Sequence, residues 1–241
     1  TRLAVFYDSD IPGEVGPVRS MRASDIGIVS PADATVVTSG AAPVTLNRLK
    51  EAGVPFVTEG SEGFSRAGDR SAPYNLMADL TQVSKAVQSK KTERPEEYLP
   101  WGTAEDLPAG AQAATLTADF GSHSTVWTWS KRQGYVNQNS YAADGDEFPA
   151  DSILVLRATV GDAGYRDPAG NPVPETKFEG TGQAMLFHDG TMVRGTWSKK
   201  KVDSPLTLTT EDGAELSVPA GKAWVELVPD DKSGGSVTFG K

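Results

Sequence analysis

Apolar positions in the first ninety residues come in short runs, broken by stretches with helical spacing. Leu3-Ala4-Val5-Phe6-Tyr7 reads as a strand, Ala34-Thr35-Val36-Val37-Thr38 as a buried strand, and Val54 to Val57 as the next one. Between the last two, Val44 through Ala52 places apolar residues at helical spacing and stops at Gly53, a normal C-terminal stop. Asp79 stands where it would cap a helix through Leu80, Val83 and Val87, with Lys90-Lys91 suiting the negative end of the helix dipole. This strand–helix–strand rhythm predicts a small α/β domain over 1–90.

From Lys91 to Gln112 the pattern gives way to Pro95, Pro100, Pro108 and acidic residues around Trp101, a linker expected to pack down locally. Beyond it the periodicity is that of strands. Thr125-Val126-Trp127-Thr128-Trp129-Ser130 alternates with period two, as do Ile153 to Val160 and Ala223 to Val228. Asp189-Gly190 and Asp212-Gly213 are hairpin turn signals between such runs. The expected fold class is α+β: an α/β domain over 1–90, a Pro-rich linker over 91–112, and an all-β sandwich or barrel-like domain over 113–241. No internal repeat or low-complexity tract interrupts it.

Charge and composition narrow the function. The chain of 241 residues carries a net charge of −9, unevenly spread. Up to Lys90 nine Lys/Arg face ten Asp/Glu, so the remaining 14 basic and 22 acidic residues leave the second part at −8. An acidic chain without a basic stripe is a poor nucleic-acid binder and does not lie on an anionic membrane by charge. No run approaches the ~18–20 apolar residues of a membrane span. With no cysteine and only His123 and His188, a thiolate nucleophile, a disulfide scaffold, an iron–sulfur cluster and a multi-histidine metal site are excluded. No cofactor or bound metal is expected.

Most catalytic templates fail. There is no Gly-x-Ser-x-Gly, phosphate-binding loop or His-Glu-x-x-His. Gly180-Thr181-Gly182 begins a dinucleotide-like pattern, but Met185 stands where the third glycine belongs, so a turn or bulge explains it better. Ser198-Lys199-Lys200-Lys201 fits Ser-x-x-Lys formally and reads as a solvated strand edge. His188 belongs to a hairpin, and His123 lacks a local carboxylate partner. Asp8-Ser9-Asp10 and Asp144-Gly145-Asp146-Glu147 have the spacing of hard-cation ligands but read as polar loops.

The arginines carry more. Gly16-Pro17-Val18-Arg19-Ser20-Met21-Arg22 sets two arginines three apart in a segment held out of regular structure, and Arg70-Ser71-Ala72-Pro73-Tyr74-Asn75 echoes it some fifty residues on. A guanidinium meets a carboxylate or phosphate with two parallel bonds and stays charged. Gly16 permits close approach, and a helix beginning at Ser24-Asp25 would offer free N–H groups to an anion. Arg66 and Arg70 add two more guanidinium groups in a Gly/Ser loop. Two readings stay open: an anion site at Arg19, Ser20, Arg22, Arg70 and Asn75, or arginines that brace loops against internal carboxylates.

These two segments resemble the signature segments of the YerB-like family of bacterial lipoproteins. The resemblance continues through Thr125 to Tyr135, through Gly182-Gln183-Ala184, Gly190 and Gly195-Thr196-Trp197, and through Ala220 to Pro229, so it covers nearly the whole chain. This chain has Tyr74 where the family usually has a histidine, Ser152 where it has an asparagine, and lacks some forty residues that normally come first. The resemblance implies an extracytoplasmic protein at the cell envelope, lipid-anchored through a segment outside this chain. The function expected is binding of an anionic ligand such as a cell-wall glycan, a phosphate, a carboxylate or a peptide terminus. The rivals are an envelope hydrolase or transferase using Asp8 or Asp10 with Arg19 or Arg22, and a non-catalytic scaffold for envelope proteins. The strand–helix–strand unit between the segments predicts that both emerge at the carboxyl ends of parallel strands, with Arg19 or Arg22 within roughly 10 Å of Arg70 or Asn75.

Overall fold

The computed structural model describes residues 3–6, 11–87, 97–140, 142, 147–167 and 169–241. The chain divides into two compact units, Thr1–Glu96 with Tyr165–Ala169, and Glu97–Gly164 with Gly170–Lys241.

In the first unit the elements are β1 (Glu14–Val15), α1 (Ser24–Val29), β2 (Val36–Thr38), α2 (Pro43–Glu51), β3 (Phe56–Thr58), β4 (Phe64–Arg66), β5 (Leu76–Asp79) and α3 (Leu80–Val87). β2 and β3 pair in parallel, Val36 opposite Phe56, with α2 as the crossover. Pro43 opens α2 with a preset φ, and Gly53 at φ +69° ends it, as the pattern predicts. Leu49 of α2 is fully buried with Val36, Val54 and the α1 residues Ile26 and Val29. The other strands are antiparallel, in the order β1-β5-β4. Asp79 caps α3 through its Oδ1, which accepts the N–H groups of Thr81 and Gln82 at 2.9 and 3.1 Å. Those bonds, the Gln82 N–H foremost, hold its carboxyl below the usual range.

Two expectations fail here. Leu3 to Phe6 form no strand; they find no ladder partner among the described residues, and Leu3, Val5 and Phe6 stay exposed. The start of α1 is not open to an anion, because the Asp25 and Ile26 N–H groups donate to the Arg22 and Ala23 carbonyls at 3.1 and 3.2 Å, and the buried Asp25 carboxylate accepts the Arg22 N–H at 2.8 Å. Burial pushes that carboxyl up, and the Arg22 N–H pulls against it.

The second unit is built of strands, with only two single-turn 3-10 helices at Ala104–Asp106 and Asp231–Ser233 among the described residues. Its strands are β6 (Trp101–Gly102), β7 (Ala111–Gln112), β8 (Thr115–Asp119), β9 (Ser124–Ser130), β10 (Gly134–Asn137), β11 (Ser152–Ala158), β12 (Val160–Arg166) and β13 (Pro172–Thr176), followed by β14 (Gly180–His188), β15 (Thr191–Lys199), β16 (Thr207–Thr210), β17 (Val218–Pro219), β18 (Ala223–Pro229) and β19 (Ser236–Gly240). The end of β12, from Tyr165, groups with the first unit. One sheet runs β10-β9-β8-β19, the other β16-β15-β14-β11-β18 with β7 beside β15. Their facing sides close over Leu116, Trp127, Tyr135, Ile153, Val155 and Phe187, the core of a sandwich. The indole of Trp127 donates to Glu226 Oε1 at 2.8 Å inside that core.

β11 is buried along its whole length and pairs antiparallel with β14 but in parallel with β18. The period-two reading of this run is therefore corrected: Ile153-Leu154-Val155-Leu156 is a strand covered on both faces, as continuous apolar strands are. Asp189 and Gly190, at φ +46° and +69°, make the β14–β15 hairpin turn that the Asp-Gly pair predicts. The Pro-rich segment belongs to this unit from Glu97 on, where β6 pairs with β17 and β7 with β15.

Two motif readings are also revised. Gly180 and Gly182 lie in β14 rather than in a turn, and a Cβ at Gly182 would run into the Arg157 carbonyl and the Trp197 ring. Lys199 is no solvated edge. It is fully buried, its ammonium donating to the carbonyls of Lys201 (2.7 Å) and Val202 and lying 5.8 Å from the Phe178 ring centroid.

Candidate functional site

The two arginine segments meet, but through antiparallel rather than parallel pairing. β1 runs against β5 with Glu14 opposite Asp79 and Val15 opposite Ala78. The chain leaving β1 therefore lies beside the chain entering β5, and the Val18 N–H donates to the Leu76 carbonyl at 2.7 Å. Gly16 makes this possible, since a Cβ there would strike Met77 and crowd the Leu76 carbonyl. Both segments contain a cis X-Pro bond, Gly16-Pro17 and Ala72-Pro73.

The backbone of the first loop is pinned to the end of β2. The Arg19 carbonyl accepts the Ser39 N–H and the buried Thr38 hydroxyl at 3.2 and 3.0 Å, and the Met21 N–H donates to the Gly40 carbonyl. The Arg19 side chain crosses to the second loop. One guanidinium N–H donates to the Pro73 carbonyl at 3.2 Å, and the group lies 4.7 Å from the Tyr74 ring centroid. A cation over an exposed aromatic ring contributes about 0.5–1 kcal/mol, enough to bias its position. Asn75 follows Pro73 by two residues, so its backbone lies within about 10 Å of that guanidinium.

The remaining side chains divide. Arg22 turns back on its own loop, donating to the Ser20 hydroxyl and the Met21 carbonyl, both at 3.1 Å. Arg66 is a brace: it donates to Glu59 Oε1 through Nε and Nη2, at 2.9 and 2.6 Å, and to Asn75 Oδ1 at 2.7 Å. Asn75 is thereby turned to Arg66 rather than to the first loop. Arg70 is exposed and its guanidinium makes no hydrogen bond or ion pair among the described residues. Among the same residues, neither Arg19 nor Arg22 has a carboxylate within 4.0 Å. Among the described residues, Arg19, Arg22 and Arg70 thus lie outside ion-pair distance of any carboxylate, with Asp25 acting on Arg22 only at longer range, while Arg66 beside them is paired.

Tyr74, noted in the sequence only as a departure from the family's histidine, has a place in the site. Its ring carries Arg19, and its 60% exposure keeps the stacked pair at the surface. The carboxylates needed for hydrolysis, Asp8 and Asp10, lie outside the described residues, as do Asp144 and Asp146. His123 stacks on Phe120 at 4.7 Å with the Ser122 hydroxyl 3.3 Å from Nδ1, and has no carboxylate partner among the described residues.

Two domain-family models match the chain, the N-terminal domain of DUF3048 over residues 1–93 and its C-terminal domain over 116–225, each described as of unknown function. The chain belongs to the YerB-like family. A YerB-like relative in Bacillus subtilis (strain 168), named "Putative lipoprotein YerB", is 23% identical over 95% of this chain and 71% of its own length. The crystal structure of the Bacillus subtilis YerB protein superposes with a TM-score of 0.75 at 22% identity, covering 96% of this chain and 80% of that one. At that identity the superposition establishes the shared YerB-like fold.

Proposed function

We propose that this YerB-like protein binds an anionic ligand through the paired loops of its first unit, as an extracytoplasmic protein of the cell envelope. The observation that carries the reading is the contrast within one small region: among the described residues Arg66 has a carboxylate at 2.6 Å, and Arg19, Arg22 and Arg70 have none within 4.0 Å. Arg19 is held along one edge by Pro73 and across its face by Tyr74, which leaves its remaining N–H groups for a carboxylate or phosphate. Binding, rather than catalysis, accounts for donors gathered with no described general base beside them. Cell-wall glycans, their phosphate or carboxylate groups, and peptide C-termini carry the matching charge. The location is supported by the name of the Bacillus subtilis relative, "Putative lipoprotein YerB".

Calorimetric titration tests the reading with three probes: inorganic phosphate, an acetylated dipeptide with a free carboxylate, and its C-terminal amide. The anionic probes should bind and the amide should not. Equal heats for the dipeptide and its amide would remove the charge argument.

A further inference from the structure

A second, separate site lies in the second unit. The turn after β9, the β14–β15 hairpin turn and the start of β11 surround an open depression of about 590 Å³, within the usual size of small-ligand sites. Lys131 and Arg132 stand on one side, and among the described residues neither has a carboxylate within 4.0 Å. Asp151 and Asp189 line the same depression and so remain un-neutralised by these cations. Asp151 uses one oxygen on the Lys222 N–H at 2.8 Å and keeps the other. Trp129 forms a wall, its ring lying where any side chain at Gly190 would be.

His188 completes the set. Its Nδ1 is 2.9 Å from the Ser152 hydroxyl, and its Nε2 is 3.8 Å from Asp189 Oδ2. Ser152 is buried at 1% exposure, so its hydroxyl cannot be approached as a nucleophile. It fixes the imidazole instead, leaving Nε2 to a ligand.

We propose that this depression binds an acidic saccharide. A sugar acid offers an apolar ring face to the electron-rich face of Trp129 and a carboxylate to Lys131 and Arg132. Its hydroxyls, each both donor and acceptor, meet Asp151, Asp189 and His188. A simple phosphate would leave the tryptophan wall and both carboxylates unused, and a neutral sugar would leave the two cations unused. None of these residues takes part in the paired arginine loops, so the two sites stand or fall independently.

The test is a titration of the full chain with trigalacturonate and with its methyl ester, followed by calorimetry and by the indole resonance of Trp129. Trigalacturonate should bind and shift that resonance, with the uncharged ester at least tenfold weaker. The double substitution Lys131→Ala/Arg132→Ala, on an exposed turn, should weaken binding about tenfold or more, and His188→Gln should also weaken it. Arg19→Ala should leave it unchanged. Equal binding of acid and ester, no binding at millimolar concentration, or binding lost in Arg19→Ala but kept in the double variant would each overturn the proposal. So would trialanine taking the same site while the saccharide does not.

Discussion

Arg157 and Arg19 are the same side chain in opposite circumstances. Arg157, at the end of β11, is buried and held by three bonds: it donates to the Pro229 carbonyl at 3.0 Å, to Asp231 at 2.8 Å and to the Gly235 carbonyl at 2.9 Å. It thereby ties down the crossing from β18 to β19, where the chain leaves one sheet for the other. Arg19 makes one hydrogen bond and one ring contact, and faces water. The difference follows from how each unit is built. The second unit has strands of up to nine residues, with apolar side chains buried on both faces of β11, so a residue's place follows from ladder register. The first unit has strands of two to four residues and two small cores, and single hydrogen bonds such as that from Thr38 place its loops. Arg157, held in that register, becomes a brace, and Arg19, on a short loop, can be left for a ligand.

The largest effect should come from breaking the brace. Arg157→Ala leaves buried carbonyls without donors and should cost about 2–4 kcal/mol in urea unfolding. Arg66→Ala, which removes a half-exposed pair with Glu59, should cost no more than about 1 kcal/mol. If the two costs are equal, the distinction between the units fails.

Glycines sharpen the comparison at a smaller scale. Gly182→Ala drives a methyl group into the Arg157 carbonyl and the Trp197 ring, which cannot retreat without bending β11 or β14. Its cost should be about 1–3 kcal/mol. Gly16→Ala meets chiefly the flexible end of Met77 and should cost less, read as the smaller shift in thermal midpoint. The opposite ranking would mean that the first unit is as tightly packed as the second.

Lys199 gives a pH signature peculiar to the second unit. Burial holds its ammonium below the ordinary 10.5, with the charges of Glu179 and Asp203 partly opposing the shift. The unfolded chain then binds the proton more readily than the folded one, so stability rises with pH. Its contribution is present above the ordinary lysine value and is lost as pH falls through the lowered folded value. As pH rises toward 10.5 the midpoint of the wild type should therefore rise relative to Lys199→Met, a substitution that cannot titrate. A flat or falling difference would contradict the burial of this charge.

How legible these features were depends on how local their causes are. α2 could be read because its helical spacing and the Gly53 that ends it lie in one short continuous stretch, and the β14–β15 hairpin because Asp189-Gly190 sets its own φ values. The burial of Lys199 could not be read, since it depends on the chain at Lys201 and Val202 folding back to supply carbonyls. The parallel pairing of β11 with β18 spans some seventy residues and leaves only a continuous apolar run as its trace. At the paired loops the sequence named the segments, but could not tell that Arg66 would find Glu59 or that Tyr74 would carry Arg19. Those partners are chosen by the β1–β5–β4 pairing, and no spacing in the chain announces them.

The central claim is that the paired arginine loops are a binding surface and not a set of braces. It is tested most directly by measuring, on the same preparations, anion affinity and thermal midpoint for Arg19→Ala and Arg22→Ala. The account predicts that affinity for inorganic phosphate or the acetylated dipeptide falls at least tenfold, while the midpoint stays within a few degrees, about 1 kcal/mol or less. Unchanged affinity, or unfolding on the scale expected for Arg157→Ala, would contradict it.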